Sequence, residues 1–544
     1  MPSSTHSAGL TATILPGVGR CALLVMIMLV HGCGGGGGTT TVDPTTKLNE
    51  ASCTFQYELP TPVTSTGTDP LLANQWHLDN TGQLGGLPGQ DLNAFDAWAS
   101  TRGAGVRAAV VDDAIEVTHR DLLANVVPDA SFNYRTERRG NAYPLPCFSG
   151  DTHGTAVAGI IAADRGNALG GSGVAPEIGM VGYNALATGL DSDIADALNR
   201  DLQANGIYHN SWGAPDNGVH NASEASFQAA IDTGLSSGRG GKGAIYVFPA
   251  GNGGCYSQTP GGNCRTENSN YDGYVNKLGI ITACAVDNRG TQPFYGEIGA
   301  NILVCGPSSG TSVGITTTDV QNAYRDNFSG TSASTPMVSG VVALMLSVNP
   351  ELTWRDVQQI LARSARKNDP ADTGWTTNFG LNFNPKYGFG VVDAKAAIDL
   401  AAGWSSVGNS SNLLSCGPFT SAPGLALPDP SPAITTVSDA IAVSGCAIAA
   451  IEFIELRLTT SHSYDGDLRI DLLSPNGLIS PLATERACQG TAASNPCGAY
   501  NDWPFGLVRH LDEPSNGNWT LRIADAQDAD TGQLVRWSLR FYGR

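Results

Sequence analysis

Between residues 67 and 404, short apolar runs alternate with longer stretches of helical character. The runs Ala108–Asp112, Gly206–Asn210, Ala244–Pro249 and Ile280–Val286 show little polar alternation, as expected of strands covered on both faces. His153-Gly-Thr-Ala-Val-Ala-Gly-Ile-Ile-Ala-Ala163 predicts a closely packed helix of small residues, and Val341-Val-Ala-Leu-Met-Leu346 continues a second, long apolar one. This alternation predicts an α/β domain with a mostly parallel sheet and flanking helices. Residues 403–412, Gly-Trp-Ser-Ser-Val-Gly-Asn-Ser-Ser-Asn, form a polar linker. After it, Ile451–Leu458, Leu468–Leu473, Trp519–Ile523 and Leu534–Phe541 read as short strands between turns. Residues 412–544 are therefore expected to form an all-β, jelly-roll-like sandwich.

Three segments carry chemistry. Asn327-Phe-Ser-Gly-Thr-Ser-Ala-Ser-Thr-Pro-Met-Val-Ser-Gly340 puts Ser332 in a tight turn that opens the long apolar helix. A hydroxyl there sits beside free backbone N–H groups at the positive end of a helix dipole, a suitable place for a nucleophile and part of an oxyanion hole. Val106-Arg-Ala-Ala-Val-Val-Asp-Asp113 reads as a buried strand ending in acid, and His153 starts the small-residue helix. Each feature has a plain structural alternative: a helix cap, a strand-end acid or a turn histidine. The three together, in the chain order Asp, His, Ser, point to nucleophilic catalysis.

The chain resembles the subtilisin-like serine peptidases, and within them the kexin/furin branch. Gln75-Trp-His-Leu78, Asp91-Leu-Asn93, the double acid Asp112-Asp113, Ser211-Trp-Gly213, Gly251-Asn-Gly-Gly254, Leu352-Thr-Trp-Arg-Asp-Val357 and Tyr387-Gly-Phe-Gly-Val-Val-Asp393 carry the resemblance over about 67–404. A second resemblance, over about 412–544, is to the P domain that follows the catalytic domain in that branch. The resemblance implies Ser332 as nucleophile, His153 as general base and acid, Asp112 as the residue that orients it, and Asn252 as an oxyanion donor. It implies a substrate strand at Ser211, Trp212 and Gly213. Asp216 and Asp272 would line the pocket for the residue before the cut, and Asp113 would face the residue before that. Carboxylates there would bind Arg or Lys side chains. Gly150 stands where the branch often has a further acid, with Asp151 beside it. Ala114 replaces the usual glycine, and Asn199 lies near the more distant basic subsite. A basic residue at the cut is thus expected, with dibasic preference compatible and a four-residue basic motif not supported.

The resemblance also implies Ca²⁺, a hard cation suited to oxygen ligands. One site would use Asp69, Asp121 and Asn167 with loop carbonyls at Asp164, Leu169 and Gly171. A second would use Asp216, Glu267 and Glu297. The alternative is that these are ordinary surface acids in loops.

Composition adds the compartment. The formal net charge of −19 over 544 residues argues against nucleic-acid binding and suits cationic peptides or Ca²⁺. Arg20 precedes the apolar run Cys21–Val30, which ends at Val30-His-Gly-Cys33 before five glycines. Residues 1–33 read as an export signal of lipoprotein type, with lipidation at Cys33 as the only expected membrane attachment; ordinary secretory cleavage is the alternative. Residues 34–66 read as a flexible Gly/Thr-rich tether. Setting aside Cys21 and Cys33 leaves ten cysteines, an even number that fits an oxidising compartment. Spacing favours Cys255–Cys264 and Cys488–Cys497, then Cys284–Cys305 and Cys416–Cys446, leaving Cys53–Cys147, although ten cysteines allow other pairings. Between Cys33 and the catalytic domain the chain is too short for a folded prodomain, so unaided folding or an external helper is expected. Three readings stand: an exported Ca²⁺-dependent endopeptidase cutting after basic residues, a broad-specificity subtilisin, and a catalytically idle surface protein that binds through the P domain.

Overall fold

A computed structural model describes residues 47–61, 63–254, 267–310, 313–431, 433–488 and 497–544. The expected signal segment, Cys33 and the pair Cys255–Cys264 lie outside the described residues.

The apolar runs form the expected parallel sheet. Its strands are β1 (Arg107–Val111), β2 (Gly179–Tyr183), β3 (Ile207–Asn210), β4 (Ile245–Pro249), β5 (Ile280–Val286) and β6 (Ile302–Pro307), in the order β2-β1-β3-β4-β5-β6. Every pairing is parallel. Nearly every residue of these strands is buried, which is why they lack polar alternation. The strand order changes direction between β1 and β3. A crevice beyond the carboxyl ends of the strands opens at such a switch point, and Asp112 and Ser211 follow those two strands directly.

The helix His153–Ala162 and the helix Thr331–Val348 pack against each other and the sheet. The second is long and apolar enough to cross a membrane by composition, but 83 % of its most apolar window is buried in this fold. A hairpin of β7 (Ile315–Asp319) and β8 (Ala323–Phe328) covers the first helix. Thr317 Oγ1 and Thr318 Oγ1 donate to the Ala156 and Thr155 carbonyls, each at 2.7 Å.

The C-terminal part is a sandwich of antiparallel sheets. One contains Leu414–Ser421, Leu425–Leu427, Ile451–Thr460, Trp503–Leu507 and Gly532–Gly543; the other contains Thr436–Val443, Leu468–Leu473, Ile479–Ala483 and Gly517–Asp525. Inner-face residues such as Leu456, Ile470, Trp519 and Phe541 are fully buried. The sandwich is docked on the α/β part. Arg355 Nε and Nη2 form a buried fork with Glu452 at 2.7 and 2.6 Å, Trp503 Nε1 donates to the Asn270 carbonyl at 3.1 Å, and Gly506 N donates to Asn270 Oδ1 at 2.7 Å. The polar linker is seated too: Trp354 Nε1 donates to Ser410 Oγ at 2.9 Å.

Four of the five expected disulfides are formed: Cys53–Cys147, Cys284–Cys305, Cys416–Cys446 and Cys488–Cys497. The first corrects the flexible tether expected at 34–66 for its described residues 47–61. Over 47–61 the chain is held by that bridge, by Asn49 Nδ2 on the Pro146 carbonyl at 2.6 Å and by Phe55 N on the Cys147 carbonyl at 3.0 Å. Leu48, Phe55 and Tyr57 pack on the main core.

Candidate active site

Asp112 ends β1 and His153 starts its helix. His153 Nδ1 lies 3.0 and 3.1 Å from the two oxygens of Asp112. An ionised carboxylate only accepts, so Nδ1 carries a proton, and in the neutral ring Nε2 is left as an acceptor. The contact depends on the small residue after the histidine. A Cβ on Gly154 would lie 2.5 Å from the Ala114 carbonyl oxygen and 2.7 Å from Asp112 Cβ. Burial favours neutral forms of both groups, but their mutual attraction outweighs it. Asp112 is held below the usual carboxylate range, and His153 is raised to about 9 by Asp112 and Asp113. Phe328 packs edge-on against the His153 ring, with centroids 5.4 Å apart.

Ser332 lies in the first turn of its helix. Its hydroxyl donates to the Ser211 carbonyl at 3.3 Å, while Ser211 Oγ donates to the Ser332 carbonyl at 3.0 Å. The segment after β3 and the helix start are thus tied together. Gly330, at φ +79°, makes the turn, and a Cβ there would meet Asn252 Oδ1 at 3.1 Å. Asn252 Oδ1 accepts from Thr331 N at 2.8 Å and Thr331 Oγ1 at 3.0 Å. Both donors fix the amide so that its Nδ2 remains for another acceptor.

Two further residues support the site. Thr331, in the Gly-Thr-Ser-Ala turn that holds Ser332, anchors Asn252. His209 is buried between Ser339 Oγ and Ser211 Oγ, at 2.8 and 2.9 Å. Burial lowers its pKa to about 3 and keeps it neutral. A histidine inside the apolar β3 run was the available signal.

The three expected specificity acids have different settings. Asp113 accepts from Gly154 N at 2.9 Å, Ala114 N at 2.5 Å and His153 N at 3.2 Å, so it caps the His153 helix. Burial and the Asp112 charge raise it to about 7. Asp272 Oδ2 accepts from Ala214 N at 2.9 Å and Oδ1 from Tyr274 N at 2.7 Å. It stands against Gly213, where a Cβ would lie 2.5 Å from Oδ2; burial raises it to about 7. Trp212 Nε1 donates to the Val111 carbonyl at 2.9 Å, binding the Ser211–Gly213 segment to β1. Asp216 Oδ2 accepts from Asn252 N at 3.1 Å. Asp151, beside Gly150, accepts from Arg135 Nη2 at 2.6 Å and from Cys147 N at 2.9 Å, which secures the turn entering the His153 helix. Asn199 follows the helix Asp191–Ala197, with its N–H on the Asp196 carbonyl at 3.0 Å.

Both expected cation sites are oxygen-rich. Asp69 Oδ2 accepts from Gly166 N at 2.8 Å, and Asn167 Nδ2 donates to Asp121 Oδ1 at 2.8 Å. The 164–171 loop wraps these groups: Asp164 N donates to the Asp121 carbonyl at 2.7 Å, Leu169 N to Asn167 Oδ1 at 2.8 Å, and Gly171 packs against Gln75, where a Cβ would lie 2.4 Å from Oε1. Asp121 Oδ2 is buried without a partner, and burial raises Asp121 to about 7. In the second set, Glu267 Oε1 accepts from Gly218 N and Glu297 Oε1 from Gly253 N, both at 2.8 Å. Burial raises both acids, Glu267 to about 7, and each is raised further by Asp216. An orphaned buried carboxylate oxygen, and a buried cluster in which Asp216 raises both Glu267 and Glu297, suit a hard cation. Two tighter groups, Glu50–Cys53–Cys147 and Asp465–Cys488–Cys497, each contain a disulfide, whose sulfurs are not thiolate ligands.

Comparison with known proteins gives the family. A model of the subtilase family (Peptidase S8) fits residues 103–390, and one of the proprotein convertase P-domain fits residues 451–541. Kexin of Saccharomyces cerevisiae is 33 % identical over 489 residues, which cover 87 % of this chain and 56 % of kexin. Neuroendocrine convertase 2 of Rattus norvegicus is 33 % identical over 491 residues, 87 % of this chain and 74 % of the convertase. The chain thus spans little more than half the length of kexin. Among solved structures, the serine protease of Aeromonas sobria in complex with a chaperone superposes with a TM-score of 0.78 at 26 % identity, over 88 % of this chain and 95 % of that one. With the family model covering more than half of its residues, this chain belongs to the subtilase family and carries a proprotein-convertase P domain behind its subtilase domain.

Proposed function

We propose that this chain is an exported, Ca²⁺-dependent serine endopeptidase that cuts peptide bonds after basic residues. The observation that carries the reading is the Asp112–His153 pair, which leaves Nε2 free at a crevice tied to Ser332 through Ser211. In this reading Ser332 Oγ attacks the scissile carbonyl as His153 Nε2 takes its proton. Asp112 stabilises the imidazolium, and the Asn252 amide and the Ser332 N–H receive the developing oxyanion. His153 then gives its proton to the leaving amine, and water repeats the sequence on the acyl-enzyme.

Asp216 and Asp272 supply the basic preference, with Asp113 contributing upstream through the acceptor capacity its backbone bonds leave. Asp69, Asp121 and Asn167, with the carbonyls of Asp164, Leu169 and Gly171, would hold one Ca²⁺; Asp216, Glu267 and Glu297 would hold another. The ion would supply positive charge that lets these acids ionise together. The disulfides support export, and attachment through a lipid at Cys33 belongs to the same reading. A folding helper does as well, since the Aeromonas sobria protease was solved with a chaperone.

The test is a panel of peptides that differ only in the residue before the cut. Faster cleavage after Arg and Lys is expected. Equal rates across the panel would favour a broad-specificity peptidase, and no cleavage of any peptide would favour a binding protein.

A further inference from the structure

The β-sandwich meets the Asp216 turn and the residues after it at a buried contact: His220 Nδ1 lies 3.2 Å from Asp465 Oδ2, Cys488 Sγ lies 3.0 Å from the Gly218 carbonyl oxygen, and one arginine reaches across. Arg486 belongs to the P domain and is 5 % exposed. Its Nε donates to the Gly218 carbonyl, across the domain boundary, at 2.6 Å. Nη2 donates to Asp465 Oδ1 at 3.0 Å and meets His220 Nε2 at 2.9 Å. The guanidinium lies 4.0 Å over the ring of Tyr271, the residue before Asp272. The fork therefore joins an acid of the sandwich to a carbonyl, an imidazole and a ring of the α/β part, which a single ammonium cannot do in the same geometry.

The other side of the contact is shaped to receive it. Gly218 has φ +76°, and a Cβ there would fall 2.6 Å from the Ala487 carbonyl oxygen. The Gly218 N–H donates to Glu267 Oε1 at 2.8 Å. In the same turn Asp216 accepts from Asn252 N at 3.1 Å. Holding the Gly218 carbonyl thus fixes both the carboxylate of Asp216 and the loop that carries Asn252.

We infer that Arg486 is a positioning residue for substrate selection: by clamping the Gly218 carbonyl, the P domain sets where the Asp216 turn presents its charge to a basic side chain. This rests on the proposed role of Asp216 in the pocket. Arg486→Lys keeps the charge beside Asp465 but loses the fork. Gly218→Ala disturbs the same contact from the catalytic side. Both are measured in the full chain with two peptides, carrying Arg or an uncharged residue before the cut, alongside hydrogen exchange of the 216–218 amides. The expected result is a fall of about tenfold in kcat/KM for the Arg peptide, less than about twofold for the other, and faster exchange at Gly218. An equal fall for both peptides, or no fall, would overturn the inference. A wild-type protein without preference for Arg would remove the specificity reading instead. The exchange measurement would still decide the clamp: unchanged protection of Gly218 in a folded Arg486→Lys protein overturns it.

Discussion

His153 accepts a proton only when neutral, so the charges around it set the acid limb of the pH–rate profile. Asp112 and Asp113 raise its pKa, while Arg325 lowers it. Asp113→Asn removes one raising charge and keeps a side-chain acceptor for the helix cap. The acid limb of kcat/KM should then move to lower pH, by about one unit; a move to higher pH would contradict the electrostatic account. Asp272 gives a second residue-scale expectation. It is raised to about 7 by burial, so a guanidinium must bind its ionised form, and KM for an Arg peptide should fall as pH rises through that value. Asp272→Asn should cut kcat/KM after Arg by about tenfold to a few hundredfold, the equivalent of a lost charged hydrogen bond of about 1.5–3 kcal/mol. Cleavage after an uncharged residue should change little; an equal fall for both would indicate a damaged site. At this scale the places of Asp112, His153 and Ser332 were legible from a strand end and two helix starts, while Asn252 entered through the family resemblance. Thr331 and His209 were not legible, because their work is done through partners distant in sequence: Asn252 for one, Ser339 for the other.

Strands and helices of the α/β part were readable wherever burial is uniform: β5 is buried along its whole length and the His153 helix from Gly154 onward. The β7–β8 hairpin escaped reading because Ile315-Thr-Thr-Thr-Asp319 and Ala323-Tyr-Arg-Asp-Asn-Phe328 have neither an apolar run nor clean alternation. Their threonines are spent on helix carbonyls instead. The ordered stretch at 47–61 was hidden for a related reason: its anchor is a disulfide to a residue 94 positions away. The elements meet through small residues, and Gly154 is the close approach between the His153 helix and Asp112. Gly154→Ala should force the His153 helix away from Asp112, at a cost of roughly 1–3 kcal/mol in stability, with a larger proportional loss in kcat than in KM. Wild-type kcat in a folded Gly154→Ala protein would show that the close approach is not needed.

The two parts of the molecule share the buried ion pair Arg355–Glu452, reinforced by Arg544 Nη1 on Glu452 Oε1 at 3.1 Å. Removing one partner leaves the other uncompensated, so Glu452→Gln should destabilise by about 3–5 kcal/mol; an unchanged melting temperature would count against the docking described. The oxygen-rich sets around Asp121 and Glu267 predict that excess chelator lowers the melting temperature and that added Ca²⁺ restores it, because a ligand of the folded state alone stabilises by mass action. A melting curve indifferent to both would leave these acids without a cation. The central claim is that Ser332, activated by His153, is a nucleophile, and a serine-directed fluorophosphonate tests it most directly. Intact-protein and peptide mass spectrometry should find one covalent adduct, on Ser332, lost in Ser332→Ala and strongly slowed in His153→Ala. A folded wild-type protein that takes no adduct, or takes it at another residue, would contradict the account.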